Sequence, residues 1–154
     1  MPVKFQPYPK PTQKPKQRKG FSVKTALRAM SKSPSAKLCK IADHLWAKVV
    51  KLEARGICQV TGCGRPATES HHVWTRSIRH LRHSTENGCA LCFLHHVGAL
   101  QSAHKDPEWF QGVLMGLMGL ERYKALQRYA HMTFKPDYGQ RIIELKQLLK
   151  ELGE

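Results

Sequence analysis

The stretch from Cys58 to His96 reads CQVTGCGRPATESHHVWTRSIRHLRHSTENGCALCFLHH, and it holds four of the five cysteines and six of the nine histidines. Thiols and imidazoles interleaved this densely serve either as disulfides and surface histidines or as metal ligands. No secretory signal opens the chain, so ligation in a reducing, cytoplasmic setting is the expected use of these cysteines. A metal that staples two ends of a short segment also suits a chain of this size, because a small domain has a thin core of its own.

The ligands fall into two close pairs. Cys58 and Cys63 are separated by four residues, with Gly62 and Gly64 around the second, which makes a tight knuckle. Cys92 and His95 repeat the two-ligand theme about thirty residues later. Four such ligands suit a closed, tetrahedral, structural zinc site. Cys89 competes for a place in it. Asn-Gly-Cys-Ala-Leu-Cys reads as a short strand, in which alternation puts Cys89 and Cys92 on opposite faces. Cys92 is therefore assigned to the metal and Cys89 to the core.

Thr68 to Trp74 reads as a strand carrying His71 and His72, whose side chains point to opposite faces. Neighbouring histidines on a regular strand chelate one ion poorly. They are well placed for two jobs, one holding a metal and the other a water. Asn87 is expected to start a second strand, and His96 to sit on the first turn of a helix from about Leu94 to His104.

With these residues in place, the segment resembles the HNH nucleases of the ββα-metal fold, in the branch that carries a zinc staple. The resemblance rests on His71-His72, Asn87 fifteen residues after His72, His96 nine residues later, the flanking ligand pairs, and the run NGCALCFLHH. It covers about Cys58 to His104, and the helical flanks and basic start also look like small phage-encoded HNH proteins. The resemblance implies that His71 and His96 bind a catalytic divalent ion, Mg2+ or Mn2+. It implies that His72 is the general base that activates water, and that Asn87 braces the loop carrying His72. The position one turn after the helical histidine, where relatives often carry a further ligand, is Leu100. On a straight helix His104 lies about 12 Å beyond His96, so only two protein ligands are expected. Neutral imidazole accepts a proton from water near pH 7.

The rest of the chain is read as support and DNA-binding surface. The formal charge of +15 points to a polyanionic partner, DNA first. Residues 1–40 contain no Asp or Glu and eleven Lys or Arg, and five of the nine prolines fall in the first twenty positions. Residues 1–20 are thus expected to be a disordered basic arm whose Lys14, Lys16, Arg18 and Lys19 meet phosphates. Between the two strands, Arg76, Arg79 and Arg82 recur every three residues and are expected to contact DNA.

Residues 21–56 hold a basic segment and a helix from about Ser35 to Ala54, with Leu38, Ile41, Leu45, Val49 and Leu52 as its stripe, Ser35 as cap and Gly56 as stop. Residues 57–105 form the metal module. Residues 106–154 supply about three helices. The first is capped by Asp106 and ends at Gly119. The second runs from about Leu120 to His131. The third runs from about Asp137 to Leu152. They are expected to pack around the module and to offer a surface for a homodimer.

The fold class is α+β and mainly helical. The expected function is a metal-dependent DNA endonuclease in phage DNA processing or recombination, working in the bacterial host cytoplasm if phage-encoded. No membrane and no small-molecule cofactor is expected. The alternatives are a zinc-stapled DNA-binding scaffold without chemistry and, third, an RNA-binding protein.

Overall fold

The computed structural model describes residues 34–154. The readings of a basic arm at 1–20, with Lys14, Lys16, Arg18 and Lys19, and of the basic segment before the first helix fall outside the described residues. The described chain is mainly helical, with one small sheet. It runs α1 (Pro34–Glu53), β1 (Glu69–His72), β2 (Gly88–Leu91), α2 (Pro107–Met118), α3 (Leu120–Ala130) and α4 (Tyr138–Glu151).

Helix α1 begins at Pro34, one residue before the expected cap. Proline fits there because the first helical turn has no use for its missing N–H. It ends as the sequence suggests. Gly56 takes φ 69° and donates its N–H to the Lys51 carbonyl at 2.8 Å, closing off the last turn. The buried face is Ala42, Trp46, Val49 and Val50, a spacing of four, three and one that makes a continuous stripe. Of the expected stripe, Val49 is buried and Leu45 and Leu52 pack against this core, whereas Leu38 and Ile41 are exposed at 38% and 47%.

Helix α4 covers α1 with Leu145 and Leu149, flanked by Ile142 and Leu148, and Ala90 of β2 completes this first core. A salt bridge at 2.8 Å from Lys48 to Glu154 ties α1 to the residues just past the end of α4. Leu152, where the sequence places the end of this helix, lies just past α4 and is exposed.

The two strands pair antiparallel, with Glu69 opposite Leu91, Ser70 opposite Ala90, His71 opposite Cys89 and His72 opposite Gly88. The Ser70 hydroxyl donates to the Ala47 carbonyl at 2.9 Å and pins the sheet to α1. A second core lies beyond the sheet, where Cys89 and Leu91 meet Ala103, Phe110 and Leu114. Helix α2 presents the last two, and its start is set by Asp106, whose carboxylate accepts from the Trp109 N–H at 3.0 Å. Gly119, at φ 80°, separates α2 from α3. On α3, Leu126 is buried and Tyr129 is 42% exposed.

The largest departure from expectation follows β2. The helix expected from Leu94 to His104 is a single wide turn, Leu94–Gly98. Ala99 is extended (φ −82°, ψ 167°), and the chain then folds back. Ala103 donates to the His95 carbonyl at 2.8 Å and His104 to the His96 carbonyl at 3.3 Å. At Gly98 the Phe93 and Leu94 side chains fold close over the backbone, where a Cβ would come within 3.0 Å of them. Leu100 projects from the tip, 86% exposed. Among the described residues, no helix is long and apolar enough to cross a membrane.

Candidate functional site

Two clusters of ligand-type side chains flank the short sheet. In the first, one ligand atom each from Cys58, Cys63, Cys92 and His95 lies within 4.8 Å of the other three. Gly62 and Gly64, both at positive φ, bend the knuckle that carries Cys63. Gln59 fastens the knuckle to β2, its N–H donating to the Ala90 carbonyl at 2.9 Å and its Oε1 accepting from the Ala90 N–H at 2.7 Å. Cys92 leaves the end of β2, and His95 follows on the next turn.

The spacings have a specific geometry. A tetrahedral ion with bonds of about 2.3 Å to sulfur and about 2.0–2.1 Å to nitrogen requires S···S edges of about 3.8 Å and S···N edges of about 3.5 Å. Cys63 Sγ and Cys92 Sγ are 3.8 Å apart. His95 Nδ1 is 3.5 Å from Cys58 Sγ and 3.6 Å from Cys92 Sγ. Burial pushes the Cys58 thiol up to about 11. Burial also acts to raise Cys92, but the His95 backbone N–H and the Cys63 and Cys58 thiols outweigh it and hold Cys92 below the usual thiol range. A cation between these sulfurs would draw off their protons and hold them as thiolates. Cys89 stays out of the quartet. It is fully buried in the second core, and burial raises its thiol to about 12.

The second cluster is His71, His96 and His104, again with ligand nitrogens within 4.8 Å of one another. His104 was expected to lie too far along a straight helix to share an ion with His96. The fold-back at Gly98 removes that helix and brings His104 Nε2 to 3.2 Å from His96 Nε2. Two imidazoles on one ion at about 2.0–2.1 Å would have their nitrogens about 2.9–3.4 Å apart. The cluster therefore offers three ligands where two were expected. Burial, then the nearby His104 and His96, lower His71 to about 4. Burial, then His104, also lowers His96. Both are neutral at pH 7, the form in which imidazole binds a metal.

His72 lines the same cavity of about 520 Å³ as the three histidines, with Arg76 and Thr75 at its side. Its ring stacks on Trp46, centroids 3.9 Å apart and planes at 18°. Trp46 is itself held by a 2.9 Å bond from its Nε1 to the Ser84 carbonyl. His72 Nε2 lies 2.9 Å from the Arg82 carbonyl. A carbonyl only accepts, so Nε2 carries the proton and Nδ1 of the neutral ring is a free base. Burial lowers the pKa of His72, against the opposing pull of the Arg82 carbonyl.

The segment between the strands is braced from inside. Asn87, one residue before β2, ends a single tight turn from Thr85 and is completely buried. Its Oδ1 accepts from the Trp74 N–H at 2.7 Å, and its Nδ2 donates to the carbonyls of Trp74 at 3.0 Å and Leu81 at 3.2 Å. It thus ties both ends of the segment that carries Arg76, Arg79 and Arg82.

Those arginines diverge. Arg76 and Arg79 are exposed. Arg82, expected to contact phosphate, is turned away. Its Nε and one terminal nitrogen each donate to a different Asp43 oxygen at 2.7 Å, and His83 Nε2 adds a third bond to Asp43 at 2.8 Å. Burial works to raise the Asp43 carboxyl, but the bonds and charges of Arg82 and His83 outweigh it and hold it below the ordinary range. Cys39 lies within ligand range of Asp43 and His83. Both oxygens of Asp43 are already bound to cationic or N–H donors, so this third group is a brace between α1 and the loop.

His104, Asp43 and Trp46 are the site residues that the sequence did not disclose. Asp43 had one signal: it is the only acid in residues 1–52. No family model matches the chain, and neither a curated protein nor a solved structure matches it, so its chemistry is read from these side chains alone.

Proposed function

We propose that the chain is a metal-dependent endonuclease of the HNH type that hydrolyses DNA phosphodiester bonds, with a structural zinc in the Cys58–Cys63–Cys92–His95 quartet. The observation that carries this reading is His72. It is an unligated, tautomer-fixed histidine in the same cavity as a three-histidine cluster. A protein that only bound DNA would have no use for a half-buried free base beside three convergent imidazoles.

In this reading His71, His96 and His104 hold a divalent ion, and three imidazoles suit Mn2+ or a later transition ion better than Mg2+. Held there, such an ion would supply the positive charge that polarises the phosphate and stabilises the departing 3′ oxygen. The remaining work falls to the chain. His72 Nδ1 takes a proton from the attacking water. The Arg82 carbonyl, holding Nε2–H, and Trp46, stacked on the ring, fix the direction of that nitrogen. Asn87 keeps the loop rigid behind it, and Arg76 at the cavity wall meets the phosphate charge. The products are 5′-phosphate and 3′-hydroxyl ends. Phage DNA processing or recombination is the setting this reading suggests.

The test is nicking of supercoiled plasmid by protein depleted of loosely held metal, with Mn2+, Mg2+ or nothing restored. Ion-dependent nicking that His72→Ala reduces by roughly 10²-fold or more supports the reading, in line with the usual contribution of a general base. Tight DNA binding without cleavage under any ion would transfer the protein to the scaffold class.

A further inference from the structure

A second concavity lies at the other end of the arginine-bearing loop. Two successive tight turns shape that loop, closed by Ile78 N–H to Thr75 O at 3.0 Å and Leu81 N–H to Ile78 O at 3.1 Å. Arg76, at the first turn, lines the histidine cavity, while Arg79, three residues on, lines a separate cavity of about 180 Å³. Sites for whole drug-sized ligands are typically about 300–1,000 Å³, so this one accepts a single ring-sized group.

Its walls combine charge with aromatic faces. Tyr129 and Phe134 lie 5.5 Å apart and are 42% and 49% exposed, with the His80 ring 5.2 Å and 5.4 Å from them. His80 Nε2 donates to the Tyr129 carbonyl at 2.9 Å, which fixes the three rings as one unit across two segments. The two acids in the wall are occupied. Asp137 caps α4 through the Gln140 N–H, and Glu144 pairs with Arg141 at 2.8 Å. Among the described residues, neither Arg79 nor Lys135 has a carboxylate partner. Free cations beside an open aromatic cluster form the combination that takes a base by stacking and its phosphate by charge.

We propose that this cavity, bounded by His80, Tyr129 and Phe134 with Arg79 and Lys135 at its rim, binds one unstacked nucleotide of the DNA strand that enters the histidine cavity. The preferred substrate is then DNA with a single-stranded segment beside the cut. In a continuous duplex the bases are stacked on each other and present no free face. The proposal rests on the nuclease reading only for the statement that the bound strand is also the one cut.

The test uses the full-length, zinc-loaded chain without added catalytic ion. Fluorescence anisotropy compares a blunt duplex with a duplex of equal length bearing a short single-stranded tail. The tail carries 2-aminopurine, whose emission falls on stacking. The tailed DNA is expected to bind about 10-fold or more tighter, with quenching, as expected for one stacked base. Phe134→Ala should remove most of that preference and the quenching while leaving the salt slope unchanged. Phe134→Trp should retain both. Arg79→Ala should weaken tailed DNA and lower the salt slope by about one. Melting curves verify that each variant is folded. Equal affinity for blunt and tailed DNA, or a preference that survives Phe134→Ala, would overturn the proposal. Metal-dependent nicking is measured separately. Tail preference without any cleavage would refute the nuclease and keep the cavity, whereas cleavage without tail preference would do the reverse.

Discussion

Asp43→Asn tests how far a carboxylate remote from the three-histidine cluster controls His72. The wild-type carboxylate receives three short bonds, two from Arg82 and one from His83. The asparagine amide keeps one acceptor and places an NH2 against a guanidinium. Breaking a fully buried pair costs about 3–5 kcal/mol and an exposed one about 0–1. The side chains of Arg82 and Asp43 are 18% and 33% exposed, which places this pair between those limits. A loss of about 2–3 kcal/mol follows, or about 6–15 °C in melting temperature for a domain of this size.

The functional effect should be separable from that loss. The Arg82 carbonyl that holds His72 Nε2 loses its anchor, so His72 samples other orientations. Misplacement by about 1 Å costs up to about 10²-fold in rate. Below the melting range, kcat for nicking should fall roughly 10–100-fold with KM little changed, because Arg76 and the basic surface are untouched. Nitrogen-15 chemical shifts of His72 should report a loss of the Nε2–H tautomer. The pH dependence has a definite sign. Asp43 is held below its ordinary pKa, so its contribution is complete above about pH 4 and disappears as the pH falls through the folded value. The stability gap between wild type and variant should therefore close in acid. An unchanged tautomer with unchanged kcat would refute the link from Asp43 through Arg82 to His72.

Three further outcomes are expected. Cys92→Ser should release the zinc and unfold the second core, since structural zinc contributes about 10–16 kcal/mol to small domains whose net stability is about 5–15. Metal analysis and circular dichroism check it, and a variant that stays folded with its zinc would exclude the quartet as a staple. His104→Ala should weaken Mn2+ binding at least about 10-fold while zinc content stays constant, so calorimetric titration showing unaltered affinity would remove His104 from the ion. Gly88→Ala should cost about 1–3 kcal/mol, because the new methyl would meet the Val50 side chain on α1 and the Thr85 carbonyl. An unshifted melting curve would show that α1 yields there.

The quartet was legible in the sequence because its ligands come as two short-range pairs, and chemistry alone limits what such pairs do. The exclusion of Cys89 was legible too, from strand alternation. Other features depended on contacts that no local pattern encodes. Arg82 reads as one of three equivalent basic residues, and only its meeting with Asp43, on a helix far earlier in the chain, separates it from Arg76 and Arg79. His104 was misplaced by extending a helix through Gly98, where the chain actually reverses. The stripe of α1 was misjudged at Leu38 and Ile41 because periodicity gives a face but not how much of it another element covers.

The fold-back at Gly98 puts two ligand sets on one short turn. His95 belongs to the sulfur-rich quartet and His96, its neighbour, to the three-histidine cluster. The same short turn hands His104 back to His96 through a backbone bond. Occupancy of the first site would therefore fix the direction of the second. On the proposed reading the two ions load in order, with zinc as the template and the catalytic ion as the late arrival. On that reading the chain would stay inactive until zinc had filled the quartet. Its activity would then report the cell's metal supply as much as the presence of DNA.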